Sequence, residues 1–360
     1  MKRKAFLMTC LALAAALCFM TLPTWAESLA PDDPIAAQGR QALAAGLAEL
    51  KAAKGDPNLL VLTNAGYGEV NGRSSEIFLD LAAQETGRSQ GTRSLLMVHS
   101  SCQTPLWLAL YKKDSGRIAF AKWAPEGFKK QLIEADPAKL LTPDGWRAAA
   151  SGPLGPSTFG VVSIALSWAR GAGWPLLLAA AYHNHFCPGL NSGFLAAEYL
   201  RQNLALGPGD KYVFVGAPAK CAMDALQIIF DATMGKAGAY GLPMGSKAAA
   251  KYFGDKTGPL AIAMRVSPKA DKCQGLVLGF DWTKVYADTG VKAEDFSPKG
   301  GPSNPLFWIS RVKISAEMAA LPLDKKMKYV VKVKEFSGPA ALADQVALGG
   351  GDPYAVAWAH

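Results

Sequence analysis

Tyr182-His183-Asn184-His185-Phe186-Cys187-Pro188-Gly189 places two of the chain's four histidines and one of its six cysteines within five residues. The residues on either side decide the fold. Pro188 suits the first turn of a helix, and 190–203 reads as that helix, with Cys187 at its N-cap. A thiol there feels the positive end of the helix dipole, which favours the thiolate. Upstream, 175–183 is rich in Ala and Leu after a Trp-Pro start and reads as a second short helix, with a buried strand as the alternative. Downstream, Lys211-Tyr-Val-Phe-Val215 reads as a strand. Residues 219–232 follow as a helix carrying Cys221 in its first turn, with Asp224 one turn on and on the same face. A further strand falls at 260–266. Helix, strand, helix and strand predict an α+β fold, a mixed sheet with helices packed on one side, in a chain long enough for two domains or halves. If the two helices pack side by side in parallel, Cys187 and Cys221 meet.

Imidazole and thiolate are the donors that borderline and soft transition metals prefer, so His-x-His-x-Cys is half of a coordination shell. The most economical site uses Cys187 and Cys221 with His183, His185 or both. Four protein donors make a closed, structural site; three leave a position for water or substrate. Asp224 is placed to hold a ligating imidazole and Lys236 to face an anionic ligand. Each has a plainer reading, Asp224 as an early-helix acid and Lys236 as a solvated surface charge.

The run from His183 to Leu200 resembles the His-x-His-x-Cys-Pro-Gly signature of the formylmethanofuran dehydrogenase E-subunit-like family, in which these residues help to bind a metal. Lys220-Cys221-Ala222-Met223-Asp224-Ala225-Leu226-Gln227 and Thr233-Met234-Gly235-Lys236 are similar to that family's Cys-Ala-x-Asp-Ala-x-Gln and Thr-x-Gly-Lys elements. The resemblance covers 175–268 and implies a metal-binding α+β domain. Two departures stand out. Family members often carry a C-terminal zinc ribbon, whereas no cysteine follows Cys273 here; and Ala232 stands where they often have a cysteine. The resemblance is to an accessory-type component, so it does not carry the formylmethanofuran reaction with it.

Met1-Lys-Arg-Lys4, the apolar run 5–22 and Pro23-Thr-Trp-Ala26 read as a Sec-type signal peptide cleaved near Ala26. The expected product is periplasmic or secreted and carries no transmembrane anchor. Cleavage removes three basic and no acidic residues, lowering the net charge from +9 to +6. The charges are scattered, with no basic block interleaved with aromatics, so nucleic acid is not an expected partner. Four cysteines remain, and in an oxidising compartment their plain reading is two disulfides. For Cys102 and Cys273 that reading, or a buried free thiol, is the expectation; for Cys187 and Cys221 the neighbouring histidines favour metal.

In the amino-terminal half, 36–53 reads as a helix, 59–63 as a buried strand, 66–72 as a turn-rich connection, 75–86 as a serine-capped helix and 95–99 as a strand. Residues 106–111 and 118–123 form a hairpin, and 125–173 runs through helix-like segments, with 159–168 a buried helix. His99 and Cys102 read either as further ligands or as a strand-end histidine beside a disulfide cysteine. With Pro105 they echo His185-Phe-Cys187-Pro188, which hints at a duplication. The domains expected are an α/β unit at 27–155, the metal-binding unit at 156–270 and a β-rich extension at 271–360, with strands at 275–280, 306–310, 329–333 and 354–358.

No Gly-rich phosphate loop, Gly-x-Ser-x-Gly elbow or His-Glu-x-x-His is present, which argues against a nucleotide enzyme, a standard hydrolase and a zincin. The leading expectation is an exported protein binding zinc or another transition metal for ligand binding, sensing or delivery. A metal- or thiol-dependent redox or hydrolytic enzyme is the alternative. Non-covalent haem or another tetrapyrrole is a third reading, since no Cys-x-x-Cys-His motif is present. Expected partners are the metal ion, a small-molecule ligand and a second copy in a homodimer.

Overall fold

A computed structural model describes residues 27–360; the signal-peptide reading of 1–26 lies outside them. The first half runs α1 (Pro34–Leu50), β1 (Leu59–Thr63), β2 (Glu69–Val70), β3 (Arg73–Ser74), α2 (Ile77–Thr86), β4 (Leu95–Met97), β5 (Trp107–Lys112), β6 (Arg117–Ala124) and β7 (Gly127–Glu134). Four helices follow, α3 (Pro137–Leu140), α4 (Pro143–Ala150), α5 (Thr158–Ala169) and α6 (Trp174–Tyr182). The second half runs α7 (Pro188–Asn203), β8 (Lys211–Gly216), α8 (Ala222–Phe230), β9 (Ala239–Gly241), α9 (Ser246–Ala250), β10 (Thr257–Ser267) and β11 (Lys272–Asp281). It closes with α10 (Trp282–Thr289), α11 (Ala293–Phe296), α12 (Pro305–Ala320), α13 (Leu323–Met327), β12 (Val330–Gly338), α14 (Leu342–Leu348) and α15 (Pro353–Trp358).

Each half builds a five-stranded mixed sheet, in the orders β4-β1-β5-β6-β7 and β12-β11-β10-β8-β9. The two follow one path. A helix (α1 or α7) leads into a strand (β1 or β8), a second helix (α2 or α8) returns to a short parallel strand (β4 or β9), and a three-stranded antiparallel meander completes the sheet. The correspondence reaches single residues. Asp33-Pro34 caps α1 as Cys187-Pro188 caps α7, and six residues after each cap stands a glycine, Gly39 or Gly193, packed hard against the second helix. The repeat therefore lies elsewhere than in the echo between His99-Ser-Ser-Cys102 and the histidine loop.

The α+β class and the mixed sheets stand as expected. Helices cover both faces of each sheet. On the second, Leu195, Ala196 and Leu200 of α7 and Met223 and Leu226 of α8 bury one face, while Val346 of α14 and Tyr354 of α15 bury the other. On the first, Leu43 and Phe78 of α1 and α2 line one face. Its other face packs with α5, α6 and Ile309 and Val312 of α12 in a core that reaches Cys187. That core joins the two halves beneath the histidine loop.

Three element readings are corrected. Residues 306–310 and 354–358 are helical, parts of α12 and α15. Their aromatic, β-branched composition suggests strands, but Asn304-Pro305 and Asp352-Pro353 are start signals whose side chains accept from Leu306 N and from Tyr354 N. The stretch after residue 270 thus holds two strands and six helices. Residues 127–134 form β7, an edge strand whose exposed Lys130 and Glu134 disguise its pairing with β6. Ser75 does not cap α2: Glu76 holds that position without a side-chain cap, and Ser75 Oγ instead donates to Gly68 O and accepts from Gly66 N at 3.1 Å.

Candidate metal centre

The helix α6 stops at His183, and Asn184, in the left-handed region at φ 67°, turns the chain back. Asparagine tolerates that conformation better than most residues, and here its side chain also donates to the His99 carbonyl, a long-range contact that fixes the turn. His99 N donates to Ala181 O at 2.8 Å, and Phe186 N donates to Ser163 Oγ at 3.0 Å, so the loop is pinned to β4 and to α5. Cys187 then caps α7, its Sγ accepting from Leu190 N at 3.3 Å. Cys221 stands directly before α8.

The helices α7 and α8 lie side by side because two positions lack a side chain. A Cβ on Gly193 would fall 2.4 Å from Ala222 O, and one on Gly189 would fall 3.1 Å from Cys221 Cβ and 3.4 Å from Cys221 Sγ. The helix starts, with their partial positive charge, therefore converge on the two sulfurs.

The donor atoms of His183, His185, Cys187 and Cys221 all lie within 4.8 Å of one another. His183 Nδ1 meets Asp224 Oδ2 at 2.6 Å, which turns Nε2 towards the sulfurs, 3.8 Å from Cys187 Sγ. The ring centroids of His183 and His185 are 4.2 Å apart. Tetrahedral zinc, with bonds of about 2.0–2.3 Å to nitrogen and sulfur, sets neighbouring donors roughly 3.3–3.8 Å apart. The widest pair needs to close by about 1 Å to reach that spacing. Two thiols and two imidazoles, one of them held by a carboxylate, form a donor set that fits a transition-metal ion.

The electrostatics describe a place prepared for positive charge. Burial opposes a charged imidazole at His183, but the hydrogen bonds with Asp224 and Cys221 outweigh it and raise its pKa to about 9. His185 lacks such a carboxylate, and burial pushes it below the usual range. The two sulfurs diverge. Cys187, fully buried, is driven up by the neighbouring Cys221 sulfur and by burial; Cys221 is drawn well down by the hydrogen bond from Cys187, with the two histidines assisting against burial. These directions favour a thiolate at Cys221 beside an imidazolium at His183, and a cation binding there would replace protons.

Other residues singled out in the sequence lie outside this cluster. The His99 ring packs edge-on to Tyr67 and stacks on Tyr182, with centroids at 4.6 and 5.7 Å. Cys102 is an exposed free thiol, and Cys273 a free thiol buried under α14 and α15, so they form no disulfide. Lys236 pairs with Asp231 at the surface and lines neither cavity at the cluster. Sequence reasoning missed what surrounds the donors. A cavity of about 340 Å³ opens beside His183, Cys221 and Asp224. A larger one, about 580 Å³, opens on His185, Cys187 and Cys221 and is walled by aromatic residues of α5, α10 and α12. Gly193 was legible only in retrospect, as the counterpart of Gly39.

Residues 182–289 match the family described as FmdE, Molybdenum formylmethanofuran dehydrogenase operon. This segment is similar to the FmdE family. It runs from the histidine loop through the second sheet as far as β11 and ends with α10. All four donors of the cluster fall inside the FmdE match, whereas α12, which supplies much of the larger cavity, lies beyond it. A comparison with curated proteins finds no match.

Proposed function

We propose that this chain is an exported transition-metal-binding protein, whose ion is held by His183, His185, Cys187 and Cys221 and which serves ligand binding, sensing or delivery. The convergence of these four donors from two helix starts and one loop carries the reading. Cys187 and Cys221 would supply the thiolates and the two histidines neutral imidazoles, with Asp224 holding His183 in the tautomer that presents Nε2. Zinc suits this borderline set, and nickel, cobalt and copper compete for the same donors. With all four donors engaged the site would be closed; with three, the bound metal would keep an open position and act as a Lewis acid towards whatever enters from the cavity. The close spacing favours a bare ion over haem iron, which already has four porphyrin nitrogens and takes only axial ligands from the protein. Export rests on the amino-terminal pattern of charged, apolar and small residues.

The test is metal content by plasma mass spectrometry on protein purified from the periplasm without added metal, beside Cys187→Ser and His185→Ala. Near-stoichiometric metal in the wild type that falls in both variants is the expected result. Cytoplasmic retention would overturn export. Metal-free wild-type protein that takes up no zinc, nickel, cobalt or copper on titration would overturn the metal site. The enzymatic alternative draws support from the cavity beside the donors, and turnover by the metal-loaded protein, lost in Cys187→Ser, would establish it.

A further inference from the structure

The larger cavity has a wall that the metal does not explain. Six half-buried rings line it: Phe159 from α5, Trp282 and Tyr286 one turn apart on α10, Phe296 at the end of α11, and Phe307 and Trp308 at the start of α12. They form two touching groups, Phe159-Trp308-Phe307 and Trp282-Tyr286-Phe296, bridged by the Arg311 guanidinium between Phe307 and Phe296. Phe159 lies 4.9 Å from both His185 and Trp308, and Trp282 lies 5.4 Å from Phe296, centroid to centroid. Flat rings exposed in a pocket of about 580 Å³ suit a flat apolar body, and the volume falls within the range of small-molecule sites.

Two cations share that wall, and no carboxylate does among the described residues. Arg311 is fixed. Its guanidinium carbon sits 3.4 Å from the Phe307 ring centroid and 4.0 Å from that of Phe296. Its Nη1 donates to the Phe296 and Phe307 carbonyls at 2.8 and 2.7 Å. No ion-pair partner faces it among the described residues, and Nη2 and Nε have no protein acceptor there. An arginine held so firmly, with donors to spare and no carboxylate against it, is a preformed half of an anion site; the Cys187 and Cys221 sulfurs of the same cavity are the anionic groups that act on it. Lys220, exposed next to Cys221, is the second cation at the mouth.

We infer that this cavity binds a planar aromatic molecule carrying an anionic group, its ring lying among Trp282, Trp308 and Phe159 and its anion on Arg311 and Lys220. The ligand lies within reach of the sulfur side of the donor cluster, so the metal-facing end of the inference rests on the metal-site reading, while the ring and anion contacts do not. Much of the wall comes from residues 296–311, outside the FmdE match, which makes the site a property of this chain's own carboxyl-terminal helices.

The experiment is calorimetric titration of the purified full chain, zinc-loaded and zinc-stripped, with 2-naphthoate, its neutral counterpart 2-naphthamide and the non-aromatic cyclohexanecarboxylate. Zinc content is measured on every sample. The wild type should bind 2-naphthoate most tightly of the three. Arg311→Gln should weaken 2-naphthoate roughly tenfold or more and leave 2-naphthamide within about twofold, the size expected for one charge-assisted contact. Lys220→Gln, at an exposed position with little cost to folding, should act in the same direction, and Trp308→Leu should weaken both aromatic probes. Failure of the wild type to bind 2-naphthoate, or equal binding of the two naphthyl probes by wild type and Arg311→Gln, overturns the inference. Equal binding of 2-naphthoate by zinc-loaded and zinc-stripped wild type would remove the contact between ligand and metal and leave the cavity site standing.

Discussion

At His183 a single hydrogen bond decides the orientation of the imidazole ring. Asp224 holds Nδ1 at 2.6 Å, so Asp224→Asn keeps the shape but loses the charge that favours a metal-bound imidazole. A drop of about 10–100-fold in zinc affinity is expected, with little change in fold, as competition with a chromophoric chelator would measure. The pH dependence of the metal-free protein follows from two opposed groups. His183, raised from 6.5 to about 9, contributes stability that is complete below 6.5 and is lost as pH rises through about 9. Cys221, lowered from 9.0, contributes stability that is complete above 9.0 and is lost as pH falls. Between pH 6.5 and 9 the two proton changes cancel, because the folded protein holds on imidazole the proton that the unfolded chain holds on thiol. Denaturant midpoints of zinc-stripped protein should therefore be level between pH 7.5 and 8.5 and fall by pH 5.5. A steady decline from 7.5 to 8.5 would mean that His183 titrates without its thiolate partner.

At the scale of elements, the site depends on how closely α7 and α8 approach. Gly193→Ala sets a methyl 2.4 Å from Ala222 O and 2.8 Å from Ala225 Cβ, backbone and short side chain that cannot swing aside. It should cost about 1–3 kcal/mol in stability and weaken zinc binding by shifting Cys221, although Gly193 touches no donor. Thermal unfolding and zinc titration of the one variant read both effects. The sequence made these helices legible through their starts, since Cys187-Pro188 announces α7 and the alternating, β-branched Lys211-Tyr-Val-Phe-Val215 announces β8. The same start signal at Asn304-Pro305 was outweighed by the strand-like composition of Leu306-Phe-Trp-Ile-Ser310. There the burial of Ile309, Val312 and Ala316 on one helical face decides the outcome, and only tertiary packing reveals it. For the same reason the donors could be read from their spacing while the aromatic cavity could not: its walls are scattered from Phe159 to Arg311 and meet only when α10 and α12 fold back over the histidine loop.

Across the whole molecule, the two sheets are neighbours in sequence but not separate in their packing. Leu60, Tyr111 and Phe120 of the first sheet share a core with Val162 and Leu166 of α5 and with Ile309 and Val312 of α12. A fragment comprising residues 27–155 would expose that apolar face to water. It should bind a hydrophobic dye and aggregate, whereas the full chain should unfold in one transition by circular dichroism and tryptophan fluorescence together. Zinc removal should lower the temperature of that transition, by an amount that grows with the logarithm of the zinc concentration used for loading.

Among the described residues four thiols are graded in depth: Cys102 open to solvent, Cys221 half-covered, Cys187 closed beneath its helix and Cys273 under the far face of the second sheet. A colorimetric thiol reagent turns that grading into a gauge with separate stops. Metal-loaded protein should report one reacting sulfur, chelated protein a second and then a third as the helix starts part, and the fourth should appear only when the sheet itself comes undone. The chain thus carries its own unlabelled readout, by which occupancy of the centre and collapse of the fold can be followed in one tube and told apart by count alone.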